Sequence, residues 1–269
     1  MTVELRPPLD VQALRADATR TGSIWRRIEV VEETASTNAD LIAAAAAGDD
    51  IAGTVRFTEN QTAGRGRSGR SWSAVPRAQI LMSVGVSTAG IAPDAWGWLP
   101  LATGVAVVEA VAEVSGVTAG LKWPNDVLVD GKKLSGILAE VAAPAAVVVI
   151  GVGLNVSLPA DDLPTPEATS LNLLTADPVD RTLLAGALLN RLGSRLADWR
   201  AAGGADSVLA GDYLRHSLTI GARVRALMPG DSQIVGVATA IDERGRLCLD
   251  TDSGAVIVSA GDIVHLRPA

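Results

Sequence analysis

The sequence contains few of the residues on which many enzyme active sites depend. Among 269 residues there are one cysteine, Cys248, and two histidines, His216 and His265. One cysteine excludes an internal disulfide and any metal site built from several cysteines. The two histidines lie late in the chain, far from the motifs described below, which disfavours a histidine-based triad or a zinc site. Any chemistry must therefore depend on Arg, Lys, Asn and backbone donors.

Aromatic residues and positive charge are also scarce. Phe, Trp and Tyr make up 3% of the chain, so small and branched aliphatic residues must fill the core, which suits strands and sheet-facing helices. The length of 269 residues fits one large domain or a medium domain with a small one. Hydrophobic residues make up 48% and charged residues 20%, which allows a sizeable core and disfavours wholesale disorder. The net charge of −7 disfavours broad binding to nucleic acid, although a local basic loop is compatible with one nucleotide.

Targeting and membrane segments are missing from the sequence as well. Residues 1–10 include no apolar signal region. The longest apolar stretch, residues 142–154, contains Pro144 and two glycines and is too short to cross a bilayer. We therefore expect a cytoplasmic protein without a membrane partner.

The apolar periodicity predicts two structural units of an α+β protein. Residues 1–218 alternate between strand and helix patterns. From residue 219, short alternating runs separated by turn signals indicate a small barrel of about fifty residues. In the first unit we predict helices over 10–19, 39–47, 93–114, 181–199 and 211–217, and strands over 24–31, 53–59, 79–87, 120–123, 127–129, 134–141 and 145–152. In the second unit we predict strands over 224–227, 234–241, 246–250, 255–258 and 262–266.

A loop rich in glycine and arginine matches a dinucleotide-binding pattern in spacing only. Residues 64–69 fit Gly-x-Gly-x-x-Gly. Such a fingerprint must open directly into a helix that meets the pyrophosphate, whereas here Pro76 and a strand pattern follow. We therefore reject a dinucleotide site. Glycines still allow a ligand to approach the backbone, and Arg65, Arg67 and Arg70 suit carboxylate or phosphate. An ordinary solvated loop is the alternative.

Three further segments carry polar groups at the ends of predicted elements. In the Lys-Trp-Pro-Asn-Asp segment, residues 122–126, a lysine held by a rigid Trp-Pro step is suited to neutralise charge on a reacting oxygen; an ordinary strand-end turn is an equal alternative. The Ser-Thr-Asn segment, residues 36–38, precedes a helix and is typical of a cap or of a polar ligand site. Glycines in residues 151–156 indicate a close backbone approach or a bulge.

Five segments, in this order along the chain, resemble the motifs of biotin protein ligases. They are residues 36–38, 61–72, 122–126, 133–140 and 151–156. The resemblance implies a mixed β-sheet catalytic domain with packed helices, of the biotin/lipoate ligase type, over 1–218, and a small SH3-like β-barrel over 219–269. Many bacterial relatives have an N-terminal DNA-binding domain. Only residues 1–23 precede the first predicted strand here, so we expect a monofunctional ligase without DNA binding. We also expect a monomer or weak homodimer.

The resemblance also implies a reaction in two steps. The biotin carboxylate attacks the α-phosphate of ATP, which gives biotinyl-adenylate and pyrophosphate. A lysine amine on the biotin carboxyl carrier domain of an acyl-CoA carboxylase then takes the biotinyl group and releases AMP. Biotin, ATP and the carrier domain are thus the expected partners. Mg²⁺ is expected with ATP, held by phosphates and water as much as by protein.

Residue roles follow from the resemblance at the matching positions. Lys122 is expected to bridge the biotin carboxylate and the α-phosphate, while Arg65 and Arg67 order the loop over the adenylate. These three form the predicted catalytic set, and no protein ligand to a metal is predicted. The predicted biotin-binding residues are Ser36, Thr37, Asn38, Gln61, Gly64, Arg65, Gly66, Arg67, Trp72, Lys122, Leu134, Gly136 and Leu138. The predicted nucleotide-binding residues are Arg67, Arg70, Lys122, Asn125 and Asn155.

Two other functions fit parts of the same pattern. A lipoate or octanoate ligase would also acylate lysine but would differ in its acid pocket, and the Gly-Arg-Gly-Arg loop with Lys-Trp-Pro-Asn-Asp favours biotin. A non-catalytic sensor of biotin or nucleotide would need neither Lys122 nor Arg65. The presence of both residues favours an enzyme.

Overall fold

The computed structural model describes residues 6–18, 23–143, 146–228, 232–259 and 262–265. Three ends of predicted elements, at Thr19, Ala145 and Leu266, lie outside the described residues. Within the described part, the predicted sequence of helices and strands is present with small changes at element ends.

The first unit is built on a seven-stranded mixed sheet. Its strands are β1 (Arg27–Val31), β2 (Thr54–Thr58), β5 (Gln79–Ser87), β6 (Gly120–Lys122), β7 (Asp126–Val129), β8 (Lys132–Val141) and β9 (Val147–Asn155). Between β2 and β5 along the chain, β3 (Gly64–Arg65) and β4 (Ser71–Trp72) form a separate two-stranded hairpin. The order across the sheet is β1-β2-β5-β9-β8-β7-β6. Only β1 and β2 run parallel; the other neighbours are antiparallel.

In the described part of the chain, five α-helices pack on this sheet. They are α1 (Val11–Ala18), α2 (Thr37–Ala46), α3 (Leu99–Ser115), α4 (Arg181–Ala202) and α5 (Ser207–His216). The predicted helix over 93–114 begins as a 3-10 segment, Pro93–Trp98, before α3. The last helix was predicted from residue 211 but begins four residues earlier, because the Asp206 side chain accepts a hydrogen bond from the Leu209 amide and caps it.

The two faces of the sheet are covered differently, and strand alternation determines which residues lie on each face. On β9, Val148, Ile150, Val152 and Leu154 pack with α3 and α4 in the main core. The other face of β9 carries Val147 and Val149, which pack under α2 in a second apolar cluster, and then continues as glycine. The α2 face is therefore only partly covered, and its uncovered part holds the site described below.

The second unit is a five-stranded antiparallel sheet. Its strands are β10 (Arg223–Leu227), β11 (Gln233–Ile241), β12 (Leu247–Thr251), β13 (Gly254–Val258) and β14 (Asp262–His265), in the order β13-β12-β11-β10-β14. This arrangement fits the predicted small SH3-like unit. Thr219 lies between α5 and β10, and a boundary at 218/219 remains our proposed division of the chain.

The turn between β11 and β12 docks the second unit on the first. The indoles of Trp98 and Trp123 donate hydrogen bonds to the backbone oxygens of Asp242 and Gly245, both at 3.0 Å. Burial acts against the charged form of Asp242, but hydrogen bonds from Arg246 outweigh it and lower the pKa of this carboxyl. Gly97 lies so close that a Cβ there would be 2.1 Å from the Arg244 oxygen. The small sheet is thus held by specific polar contacts.

One apolar helical stretch is long enough, by length and composition, to cross a membrane. It covers Pro93–Ser115, and 67% of its most apolar window is buried inside the fold. Eleven residues of α3 itself are buried, which is the position of a core helix.

Candidate active site

A recess opens on the α2 face of the sheet, between the N-terminus of α2, the β3–β4 hairpin and strands β8 and β9. Its wall and rim are mostly polar, and its floor is formed by strand backbone and an indole ring. The lining residues are Ser36, Thr37, Asn38, Gln61, Arg65, Gly66, Arg67, Arg70, Ser71, Trp72, Met82, Asn125, Lys133, Gly136, Ile137, Leu138, Gly151, Val152 and Gly153.

The polar wall begins where α2 begins. Ser36 has an extended backbone and caps the helix, since its Oγ accepts from the Ala39 amide. The Gln61 side-chain oxygen accepts from the Thr37 amide at 2.9 Å and lies 3.1 Å from the Thr37 hydroxyl oxygen. Gln61 therefore satisfies a free amide of the first helical turn and is itself oriented by it.

The same wall continues behind Asn38, which is 4% exposed. Its Oδ1 accepts from the Ser83 hydroxyl at 2.5 Å, and its Nδ2 donates to the Leu138 oxygen at 3.3 Å and to Glu140 at 2.9 Å. A Cβ on Gly151 would lie 2.3 Å from Asn38 Oδ1. Only glycine at this strand position leaves room for the amide, which explains one of the glycines singled out in the sequence.

The floor consists of two paired glycines covered by an indole. Gly136 on β8 faces Gly153 on β9. Cβ atoms at these positions would lie 2.9 Å and 2.3 Å from ring atoms of Trp72. The Trp72 indole therefore covers both glycines, and its buried Nε1 has no hydrogen-bond partner.

The rim is the β3–β4 hairpin, which carries the three predicted arginines. Ser68 and Gly69 at its tip have positive φ values of 55° and 74°, so the tip needs residues that tolerate the left-handed region. Arg65 donates to Glu140 at 2.6 Å, and Arg67 donates to Asn125 Oδ1 at 3.2 Å. The hairpin thus contacts strand β8 and the segment before β7 from above the recess.

Lys133 is the lysine that lines the recess. Its Nζ lies 2.6 Å from Asp126 Oδ1 and 5.8 Å from the centroid of the Trp72 ring, within the range of a cation–π contact. The pairing of β7 with β8 shifts by one residue between Val127 and Leu128, so that Leu134 is an extra residue on β8. This bulge turns Lys133 toward the recess and Leu134 into the core, where it is 0% exposed.

Lys122 does not line the recess. It lies on β6 and lines a small neighbouring cleft with Pro124, Asn125 and Tyr213. Burial raises the pKa of the Tyr213 hydroxyl above its ordinary value. Asn125 contributes to both the cleft and the recess, so the Lys-Trp-Pro-Asn-Asp segment separates the two.

Most of the predicted site residues come together in the recess. Four do not line it, namely Gly64, Lys122, Leu134 and Asn155. Gly64 faces Trp72 across the hairpin, and Asn155 is buried, where it accepts from Gln79 at 2.9 Å and donates to the Thr169 oxygen at 2.8 Å. The lining residues that sequence reasoning did not select are Ser71, Met82, Lys133, Ile137, Gly151, Val152 and Gly153. Lys133 lies in the 133–140 motif, and Gly151 and Gly153 lie in the 151–156 motif. The sequence motifs therefore pointed to these three residues.

The arrangement combines a neutral hydrogen-bonding wall with four cationic side chains, those of Arg65, Arg67, Arg70 and Lys133. Such a site suits a ligand with a polar, uncharged end and an anionic end. Among the residues that the structure describes, no group of three or more His, Cys, Asp or Glu is arranged to hold a metal ion. The described residues of the site therefore supply charge and hydrogen bonds.

Comparison with known proteins gives one consistent family. Residues 32–155 match the model of the Biotin/lipoate A/B protein ligase family, and residues 219–266 match the Biotin protein ligase C terminal domain. The chain is 53% identical to the Biotin--[acetyl-CoA-carboxylase] ligase of Mycobacterium tuberculosis over 98% of both chains. It is 30% identical to the Bifunctional ligase/repressor BirA of Escherichia coli, over 82% of this chain and 69% of that protein.

A solved structure agrees with these sequence matches. The biotin protein ligase from Aquifex aeolicus, in complex with biotin and ATP, superposes with a TM-score of 0.75 at 26% identity, covering 91% of this chain and 100% of the other. The predicted α+β architecture, with a mixed sheet followed by a small β unit, is confirmed by these similarities.

Proposed function

This chain belongs to the biotin protein ligase family, and on that premise we propose that its recess joins biotin to AMP and then passes the biotinyl group to a carrier lysine. The observation that carries this proposal is the convergence of four cations on one neutral, hydrogen-bonding recess. Biotin has a neutral ureido ring at one end and a carboxylate at the other, so its two ends match the two parts of the site.

We propose that the ureido ring binds against the wall formed by Ser36, Thr37, Asn38 and Gln61. Each of these side chains is already fixed by contacts behind the wall, so little ordering is needed when the ligand arrives. The floor of Gly136 and Gly153, with Trp72, would hold the apolar part of the ligand. The carboxylate end would then lie toward Lys133.

The first chemical step brings together two anions, the biotin carboxylate and the α-phosphate of ATP. Opposing cations must offset their repulsion. We propose Lys133 for the bridge between the two, because its ammonium lines the recess. The sequence alone gave this role to Lys122, which lies in the adjacent cleft; we retain it as the alternative, and paired variants distinguish the two in the Discussion.

Arg65, Arg67 and Arg70 are proposed to close over the adenylate, with Arg67, Arg70 and Asn125 on the nucleotide side. Closure would exclude water from a mixed anhydride that hydrolyses easily. Asn155 was also predicted on the nucleotide side; its two buried hydrogen bonds instead support a role in holding the end of β9. ATP is the nucleotide that this reaction consumes.

Mg²⁺ is proposed to enter with ATP. The acidic groups next to the recess, Asp126 and Glu140, are each paired with a cation, and Mg²⁺ is commonly held by substrate phosphates and water with one or two carboxylates. These residues thus fit a metal ion that binds together with ATP. The metal ion would neutralise part of the phosphate charge.

In the second step the amine of a carrier lysine would enter at the open rim and attack the acyl carbon, which releases AMP. We propose a biotin carboxyl carrier domain of an acyl-CoA carboxylase as this partner, in the cytoplasm. We also propose that the ligase works as a monomer or weak homodimer without DNA.

The deciding experiment is the mass of a carrier domain after incubation with the protein, ATP and Mg²⁺, with biotin, lipoate or octanoate in parallel. The proposal predicts a gain of one biotin at a lysine, and ATP–pyrophosphate exchange that depends on biotin. Exchange with lipoate or octanoate in place of biotin would favour the related acyl ligases. Biotin binding without exchange or labelling would favour a sensor.

A further inference from the structure

Glu140, near the end of β8, contacts both the rim and the wall of the recess. Its Oε1 lies 2.6 Å from Arg65 on the β3–β4 hairpin, and its Oε2 accepts from Asn38 Nδ2 at 2.9 Å. The side chain is 21% exposed, and that of Arg65 is 48% exposed. Glu140 itself does not line the recess. One carboxylate therefore connects two lining residues that belong to different elements.

The contact with Asn38 continues into a connected chain of side chains. Asn38 Oδ1 accepts from Ser83 at 2.5 Å, and the Ser83 and Thr37 hydroxyls are 2.7 Å apart. Because Ser83 gives its hydrogen to Asn38, the Thr37 hydroxyl donates to Ser83, and the Thr37 amide in turn donates to Gln61 at 2.9 Å. A continuous series of contacts thus runs from Arg65 on the rim to Gln61 on the far side of the wall, with only Glu140 and Ser83 lying behind the surface.

The geometry leaves Asn38 little freedom to replace the contact with Glu140. Both Nδ2 hydrogens are committed, one to Glu140 and one to the Leu138 oxygen, and the Oδ1 points to Ser83. The amide also lies close against the backbone at Gly151, where an added Cβ would be 2.3 Å from Asn38 Oδ1. When one member of such a network is lost, its neighbours lose orientation as well.

We infer that Glu140 is a positioning residue that couples closure of the arginine hairpin to the orientation of Asn38 in the wall. Its charge holds Arg65 through a charge-assisted hydrogen bond, while its second oxygen fixes the Asn38 amide. A closed hairpin and an ordered wall therefore stabilise each other. The part of this inference that concerns the adenylate depends on the proposed function, whereas the part that concerns the hairpin does not.

The test compares Glu140→Gln, which keeps an acceptor for Asn38 but removes the charge, with Glu140→Ala, which removes both. Glu113→Gln is the matched control, because Glu113 forms an exposed pair with Arg191 on α3 and α4. The first readout is the rate of trypsin cleavage after Arg65, Arg67 and Arg70 in the protein without ligands. The second is the dissociation rate of bound biotinyl-adenylate, and the third is the Kd of biotin.

For Glu140→Gln we expect the hairpin to be cleaved, and the adenylate to dissociate, about threefold to fivefold faster. The effect is modest because a partly exposed ion pair contributes little free energy. The Kd of biotin should change little. Glu140→Ala should in addition weaken biotin binding. Combined with Arg65→Gln, Glu140→Gln should add no further effect, since the two variants remove the same contact.

The inference is wrong if Glu140→Gln keeps the parental rates of hairpin cleavage and adenylate dissociation, or if Glu113→Gln changes these rates equally. It is also wrong if the effects of Glu140→Gln and Arg65→Gln multiply in full in the double variant. A merely structural role would lower the melting temperature without separating hairpin cleavage from biotin affinity. If the parent protein forms no adenylate from biotin and ATP, the proposed function fails, and the cleavage readout still decides the role of Glu140.

Discussion

One extra residue on β8 determines which side chains face the recess. Simple alternation places Leu134, Gly136 and Leu138 on one face of the strand, and the resemblance implied the same three residues as biotin-binding. The bulge at Leu134 reverses the faces before it, so that Lys133 joins Gly136 on the side of the recess. A register irregularity of this kind depends on the partner strand, and the sequence of β8 does not reveal it.

The role of Lys133 is the first prediction at this scale. We expect Lys133→Ala to lower biotin-dependent ATP–pyrophosphate exchange roughly 100- to 1,000-fold, the usual cost of losing one group that stabilises developing charge. Lys122→Ala should cost much less, since Lys122 lines a different cleft. Both rates are to be measured at saturating ATP in proteins shown by circular dichroism to be folded. The reverse order of the two losses would return the bridging role to Lys122.

The glycine floor gives a second prediction. Gly153→Ala would place a methyl group 2.3 Å from the Trp72 ring and so displace the indole from the floor. Since such overpacking costs about 1–3 kcal/mol, we expect calorimetry to show biotin binding weakened about tenfold or more. Gly211→Ala on α5 is the control, because nothing lies within 4 Å of its added Cβ. Equal biotin affinity in the two variants would argue against a floor at Gly153.

At the scale of elements, the β3–β4 hairpin forms the rim of the site. It is a two-stranded piece separate from the main sheet, with left-handed residues at its tip. Its position depends on contacts such as that of Arg67 with Asn125 and that of Arg65 with Glu140. An element held in place by side-chain contacts at its rim is suited to open and close over a ligand.

This lid role predicts that Arg67→Gln releases bound biotinyl-adenylate faster. A chase of labelled adenylate should show a half-life shortened by about fivefold or more, in line with the loss of a hydrogen bond to a charged group. Arg191→Gln, which removes an exposed arginine of α4, should leave the half-life at the parental value. An unchanged half-life in Arg67→Gln would contradict a lid function for the hairpin.

At the scale of the whole molecule, a buried ion pair joins distant parts of the chain behind the site. Arg181, at the start of α4, lies 2.7 Å from Glu59 after β2, and their side chains are 6% and 2% exposed. Arg181 also donates to the Pro7 and Gln79 oxygens, while Glu59 accepts from the Leu9 amide. The N-terminal segment, the sheet and α4 are thus connected at one point.

Removal of one partner should therefore be costly. We expect Glu59→Gln to lower the free energy of unfolding by about 3 kcal/mol or more, since it leaves a buried guanidinium without its counter-charge. Urea denaturation measures this value. Glu113→Gln, at an exposed pair, should cost less than about 1 kcal/mol. Similar losses in the two variants would show that burial does not increase the contribution of the Glu59 pair.

The sequence by itself determined the family, the succession of helices and strands, and most members of the site. Apolar periodicity is local, and so are caps such as Ser36 and turns such as Asp130–Gly131, both of whose residues have positive φ. The contiguous motifs therefore included Asn38, Gln61 and the arginines, which the structure brings together at the recess, because these side chains lie at element ends whose position follows from the neighbouring pattern.

Only the tertiary structure decided which of two lysines faces the recess and which glycines the Trp72 ring packs against. It also decided which groups form hydrogen bonds with Asn155. Each depends on a partner distant in sequence: the register of β7 against β8 for Lys133, the hairpin for Gly136 and Gly153, and Gln79 with Thr169 for Asn155. A strand sequence specifies that its side chains alternate, but the face that each side chain occupies is fixed only when the strand pairs and the opposite layer packs on it.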